Sequence, residues 1–464
     1  MRISRAIIAT LVVAGLIACS YFTYRLGKRD GWRAEQAVVA QEIEQTRIAA
    51  ERKIADADKA VADAVKAKVA AEEAAKHLEV DPSISTPQET ADAVATLSIA
   101  GGLVLPKQFF VVAGSDVGIY LRSIVPVRDP EVFRYAIAGD CTFAQLERRR
   151  IALHPTSSEA GSCNLSLEVL TLDEKSIEKS TLEVIVVPQD APLSQSSFQI
   201  LMVGDSLGHQ SRFPNELADI LKSPGNPKVE FVGTFKPEGA KVLHEQYGGW
   251  TFSSFLTNID KDPEIYHASH SPFVFKGPDD APQFDVTRYL NESLDGARPR
   301  NVHIQLGIND AFGFDPLDPE LRKRLIEIMA QADALIAGIR KALPDAVITV
   351  GSVIQANASD RAFVESYRPY EQFHSEWRWR RVEMALAKTM VEHFDGRNRE
   401  RIFLVPTHMT VDPLDGYTAH EWVPDGMSIK LSNAVHPSAV GARQLATTIH
   451  AVVRAELASL LAAN

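Results

Sequence analysis

Two segments of this chain share one pattern, and that pattern narrows the fold more than any other feature. Phe198–Gly204 is an apolar run that ends in a glycine and is followed by Asp205, Ser206 and Leu207. Val302–Gly307 is mainly apolar, ends the same way, and is followed by Ile308, Asn309 and Asp310. Such runs fit strands buried on both faces, as in a parallel sheet. A glycine at the carboxyl end permits a sharp turn there, and that edge is where open α/β sheets collect their ligands. Pro344, Asp345 and the β-prone run 346–353 fit a further helix-to-strand crossover. The pattern predicts a parallel α/β sheet that presents Ser206 and Asn309 at its ligand edge. A lone serine in such a turn can also serve merely as a helix cap.

Two further segments bear on the choice. Tyr247–Thr251 holds the glycine pair Gly248 and Gly249, after a strand-like run at Val229–Gly233. Asn433–Ser438 places His436 just ahead of a helix-like stretch, Ala439–Leu461. Acyl transfer requires these parts. A serine hydroxyl is a weak nucleophile until a base takes its proton, and imidazole titrates in the range suited to that work. The tetrahedral intermediate carries an oxyanion that a glycine N–H and an asparagine amide can stabilise. Ser206, Gly249, Asn309 and His436 therefore form the candidate constellation.

The four segments, in this order, resemble the four motif blocks of the SGNH (GDSL) hydrolase superfamily: Gly204–Leu207, Gly249 with its neighbours, Gly307–Asp310, and the segment around His436. The resemblance spans roughly residues 196–460. It implies a three-layer α/β/α flavodoxin-like domain with no metal and no organic cofactor. It implies Ser206 as nucleophile, His436 as base, and an oxyanion hole made by the Ser206 N–H, the Gly249 N–H and the Asn309 side chain. His244–Thr251, Ser271–Phe275 and Phe284–Leu290 are also similar to a bacterial subgroup of carbohydrate esterases in which an Ig-like β-domain precedes the hydrolase. On that likeness His244, Glu245 and Trp250 are candidates for the substrate cleft. One position departs from the pattern. The last block usually has aspartate three residues before its histidine, and here Asn433 stands there. An amide can orient imidazole but brings no charge to stabilise imidazolium. Three outcomes follow: a Ser–His dyad helped by a backbone carbonyl, a substitute acid such as Asp425, or a weakened enzyme.

Upstream, residues 98–190 hold short β-prone runs separated by Gly, Pro, Asp and Ser, which predicts a small Ig-like β-sandwich. The expected strands are Phe109–Val112, Gly118–Leu121, Phe133–Ile137, Cys163–Leu170 and Leu182–Val187. Cys141 and Cys163 fall in this region as two free thiols or one disulfide, and a disulfide points to an oxidising compartment. Residues 1–25 contain an uncharged apolar run, 6–24, just long enough for a bilayer core of about 30 Å. A retained anchor, a cleaved signal peptide and lipid attachment at Cys19 all export the remainder. Arg25, Lys28, Arg29 and Arg33 oppose that orientation, since positive charge tends to stay cytoplasmic. Residues 30–80, rich in Ala, Glu, Lys and Val, read as a helical spacer with heptad-like spacing and a capacity for self-association, and 81–97 as a linker broken by Pro82 and Pro87.

A net charge of −11 and the lack of a basic run argue against nucleic acid as partner. His267 and His270 have no accompanying acid or cysteine cluster and read as loop surface rather than metal ligands. Asp205 and Asp310 read as loop-holding acids, and Trp377 and Trp379 as packing in an Arg-rich helix. The sequence thus predicts a membrane-anchored, extracytoplasmic serine esterase acting on small acyl esters, O-acetyl groups of carbohydrate above all. The competing readings are a polysaccharide O-acetyltransferase and a non-catalytic glycan-binding scaffold.

Overall fold

A computed structural model describes residues 102–189, 197–261, 268, 270–277, 280–423, 426–431 and 433–462. The expected anchor, helical spacer and linker lie outside these residues, as do Cys19, His267 and Asp425. The described residues belong to one compact unit. Among them no helix is long and apolar enough to cross a membrane.

The upstream β-region contains seven strands: β1 (Gln108–Val112), β2 (Val117–Tyr120), β3 (Arg134–Gly139), β4 (Ala144–Leu146), β5 (Arg150–Leu153), β6 (Gly161–Leu170) and β7 (Ser176–Val187). They form a four-stranded sheet in the order β1-β7-β6-β3 and a three-stranded sheet in the order β2-β5-β4. Side chains alternate across a strand, and here every second residue is apolar. Phe109 and Val111, Leu165 to Val169, and Leu182 to Val186 meet Val117, Ile119, Ile151 and Leu153 of the other sheet in one core. Cys141 and Cys163 are joined by a disulfide, which ties the loop after β3 to β6. Asp140 beside them completes a trio of metal-ligand type, but both sulfurs are committed to that bond.

The α/β half is built on β8 (Ser197–Gly204), β9 (Lys228–Val232), β10 (Glu245–Gln246), a small β11–β12 hairpin (Val274–Lys276 and Pro282–Phe284), β13 (Asn301–Gln305), β14 (Val347–Gly351) and β15 (Ile402–Val405). A second hairpin, β16 (Thr418–Val423) with β17 (Gly426–Leu431), precedes the last helix. The main sheet is parallel throughout, with β9 and β10 end to end along one edge of β8, then β13, β14 and β15 on its other side. Counting β9 and β10 as one strand, this is the flavodoxin-like order 2-1-3-4-5, whose switch point falls between β8 and β13. Right-handed crossovers that reverse direction at β8 must put their helices on opposite faces. Accordingly, helix Arg212–Leu221 packs with the terminal helix Ala439–Ala462, while helix Leu321–Ala342 packs with Glu376–Phe394. The sheet is buried between these layers, which is why β13, β14 and β15 are buried at every position.

The two motif glycines do different work. Gly307 bends the chain at φ +124°. Gly204 has no such backbone; a Cβ there would lie 2.8 Å from Gln246 Oε1 and 2.9 Å from the Gln305 carbonyl. It is required for close packing rather than for the turn expected from the sequence.

The β-region is keyed onto the α/β half. Arg380 is 2% exposed, and its guanidinium donates to the carbonyls of Arg122 (2.6 Å), Val125 (3.1 Å), Arg128 (2.9 Å) and Val127. Arg122 pairs with Glu376 at 2.9 Å, and His408 Nε2 meets the Val104 carbonyl at 3.1 Å. On the outer face of β1 and β7, Val112 and Val187 pack against Ala451 of the terminal helix.

Candidate active site

Asp205 ends the β8 turn as an N-cap, its carboxyl accepting the Leu207 N–H at 3.0 Å, and the short helix Ser206–His209 begins with Ser206. On the other side of the crevice, the segment before the terminal helix is pinned by its own polar groups. Ser438 donates its N–H and Oγ to the Gly416 carbonyl at 2.8 and 2.9 Å, and Ala434 N–H donates to Ser366 Oγ at 3.0 Å. This delivers His436, whose Nε2 lies 2.7 Å from Ser206 Oγ across 230 residues of sequence. Burial, with a smaller contribution from the Arg212 charge, pushes the His436 pKa down to about 4. The imidazole is therefore neutral at pH 7, the state in which it can accept a proton.

The glycine-pair loop runs beside the Ser206 turn because β10 pairs with the end of β8, and Tyr247 N–H donates to the Gly204 carbonyl at 3.0 Å. Asn309 and Asp310 hold this loop from below. Asn309 Nδ2 donates to the Trp250 carbonyl at 2.9 Å, and Asp310 Oδ1 accepts the Phe252 N–H at 3.1 Å. A primary amide has two N–H donors, so Asn309 has one left for a ligand. Asp205 and Asp310 hold loops, as the sequence suggested. Burial raises each to about pKa 7; the Leu207 N–H opposes the rise at Asp205, and the neighbouring Asp310 charge adds to it.

Asn433 departs from its expected place as the orienting group. Its Oδ1 accepts the N–H of Val435 at 2.9 Å and of His436 at 3.3 Å. Asparagine commonly closes such local turns on its own backbone, and this one turns the amide away from the ring. Among the described residues, His436 Nδ1 has no hydrogen-bond partner.

The three cleft candidates also change role. His244, Glu245 and Trp250 are each 0% exposed and so cannot line an open cleft. They form the wall behind the loop. Glu245 accepts from Thr234 N–H (2.5 Å), Thr234 Oγ1 (3.1 Å), Tyr289 OH (2.6 Å) and Tyr247 OH, while burial raises its pKa. His244 Nε2 meets Ser211 Oγ at 2.7 Å. Trp250 is packed between Tyr247 and Phe255, with ring centroids 4.6 and 4.8 Å away. The edge position of β10 explains this: once a loop covers it, polar side chains there must satisfy one another. His270 sits exposed near Asp260. Trp379 is buried with Nε1 donating to Glu383 at 2.9 Å, and Trp377 lies under Arg380, so both tryptophans pack. Arg212, near His436 and donating to the Pro437 carbonyl at 3.3 Å, was not foreseen. A lone arginine opening a helix leaves no pattern to find.

No family model and no curated protein matches this chain. Solved structures similar to it include a family 3 carbohydrate esterase of Clostridium thermocellum, with 15% identity, TM-score 0.34, and coverage of 57% of this chain and 99% of that one. Another is a family 3 carbohydrate esterase from Talaromyces cellulolyticus, with 15% identity, TM-score 0.30, and coverage of 56% and 98%. A third is the acetyl xylan esterase Est2A of Butyrivibrio proteoclasticus, with 11% identity, TM-score 0.29, and coverage of 70% and 87%. Likenesses this distant carry no weight beside the strand order and the four blocks gathered at one edge. On those grounds the fold resembles that of the SGNH/GDSL hydrolases.

Proposed function

We propose that this protein is a serine esterase that removes small acyl groups, chiefly O-acetyl, from carbohydrate. The observation that carries the reading is the 2.7 Å contact between Ser206 Oγ and the His436 ring, with Asn309 following the strand next to β8 and its amide bonded to the loop that carries Gly249. The likeness of His244–Thr251, Ser271–Phe275 and Phe284–Leu290 to a carbohydrate-esterase subgroup supports the substrate class. Ser206 Oγ attacks the ester carbonyl as His436 Nε2 takes its proton. The oxyanion is met by the N–H groups of Ser206 and Gly249 and the Asn309 side chain. As the C–O bond breaks, His436 gives the proton to the departing sugar oxygen, which leaves as the free hydroxyl, and acyl-Ser206 remains. Water, deprotonated by the same imidazole, then releases the acid. Asn433 faces its own backbone, so the pair works as a dyad.

The disulfide and the apolar run at 6–24 support a tethered protein outside the cytoplasm, with residues 30–80 as spacer. The position of Asn433 also favours a second reading, a glycan-binding protein with a degenerate site. Assay of the intact protein on p-nitrophenyl acetate, beside Ser206→Ala, separates the two. Hydrolysis abolished by the substitution supports the esterase, and equal rates remove it.

A further inference from the structure

A hollow of about 280 Å³ opens beside Asn309, one of the three proposed oxyanion donors. Asn309 and Thr251 form its near wall, and Phe314, Arg324, Glu327 and Gln331 form the far one. Asn309 thus lines the hollow and is also a donor in the mechanism proposed above. We infer that this hollow binds a neutral sugar ring of the acylated chain. The inference rests on the esterase reading above and extends it to the substrate.

The far wall is one face of helix Leu321–Ala342. Arg324, Glu327 and Gln331 follow at spacings of three and four, which places their side chains in a row. Leu325, Met329, Ala332 and Leu335 of the same helix are buried in the core and fix the orientation of that row. Among the described residues Glu327 and Gln331 have no hydrogen-bond partner, so a carboxylate and an amide are left to face the hollow.

The remaining wall is held in place. Arg324 lies over the Phe314 ring, 5.6 Å from its centroid, and pairs with Asp318 at 2.9 Å. Arg378 donates to the carbonyls of Phe312 and Phe314 at 3.0 Å each and is packed against the rings of Phe312 and Phe373. An aromatic residue beside a row of polar termini suits a pyranose, which presents C–H groups on its faces and hydroxyls around its rim. An alkyl chain would desolvate Glu327 and Gln331 without pairing them. A uronate would bring its charge against Glu327, while the one cation, Arg324, is already paired with Asp318.

The test is steady-state kinetics of the intact protein on three substrates: an acetylated xylo-oligosaccharide, an acetylated oligogalacturonide and p-nitrophenyl acetate. Wild type is compared with Glu327→Gln and Gln331→Ala. We expect the ratio of kcat/KM for the neutral oligosaccharide to that for p-nitrophenyl acetate to fall about tenfold in Gln331→Ala, through KM, as loss of a buried hydrogen bond implies. In Glu327→Gln the preference for the neutral over the acidic chain shrinks. Unchanged ratios, or equal losses on all three substrates, overturn the inference. Should wild type turn over none of them, the esterase reading fails by itself, and titration calorimetry with xylohexaose decides the hollow. Weaker binding in both variants upholds it, and binding equal to wild type ends it.

Discussion

The Asn309 side-chain amide donates to the Trp250 carbonyl at 2.9 Å, so a residue following β13 fixes the backbone of the loop that carries Gly249. One group thereby both shapes the proposed oxyanion hole and supplies a donor to it. Asn309→Ala should lower kcat by about 10²–10³, the usual cost of losing one such donor. KM should move far less. A variant with kcat intact would remove Asn309 from the mechanism.

The ionisation of the site predicts a bell-shaped rate profile. A base acts only when unprotonated, so a His436 pKa pushed down to about 4 keeps it competent well into acid, and kcat/KM falls only near that value. Arg212 disfavours the imidazolium; Arg212→Gln therefore moves the acid limb to higher pH. On the alkaline side, Asp205 and Asp310 ionise near pH 7 and place negative charge beside the oxyanion donors. The rate should decline above neutrality, and Asp310→Asn should flatten that decline. A pH–kcat/KM series on all three proteins checks both limbs.

Asn433 offers a sharper discrimination. With its oxygen on the backbone N–H groups of Val435 and His436, it shapes the turn rather than the tautomer. Asn433→Ala should cost no more than about tenfold in kcat. A loss approaching 10⁴, the scale seen when an orienting acid is replaced by its amide, would mean that it contacts the ring during turnover.

Stability should depend on Arg380 more than on any exposed ion pair. Its removal takes the donor from the carbonyls of Arg122 and Val127, whereas the Val125 carbonyl keeps the Val127 N–H and the Arg128 carbonyl keeps Arg122 Nη1. Each buried group left unpaired costs roughly 1–3 kcal/mol. Arg380→Met is expected to destabilise by about 3 kcal/mol or more in denaturant unfolding, far beyond Arg288→Met, whose pairing with Glu292 is solvent-exposed.

Much of this architecture was readable from residues alone, because apolar strands that end in glycine and polar residues leave few alternatives. The five strands expected in the β-region are present. The two strands not foreseen, β4 and β5, are three and four residues long and flank the charged stretch Glu147–Arg149, which hides their periodicity. The pairing of Ser206 with His436 followed from motif order. The roles of Gly204, His244, Glu245 and Trp250 did not, because each depends on what lies across from it. Gly204 is defined by the Gln246 side chain 2.8 Å from its absent Cβ, and Glu245 by tyrosine and threonine partners on three separate segments. Tertiary contacts of this kind leave no trace in local sequence.

The central claim is that the Ser206 hydroxyl is activated by His436. Reaction of the intact protein with a fluorophosphonate, read by peptide mass spectrometry, tests it most directly. One adduct is expected, on the peptide containing Ser206, absent in Ser206→Ala and formed at least about a hundredfold more slowly in His436→Ala. No adduct on Ser206, or labelling of His436→Ala at the wild-type rate, would contradict it.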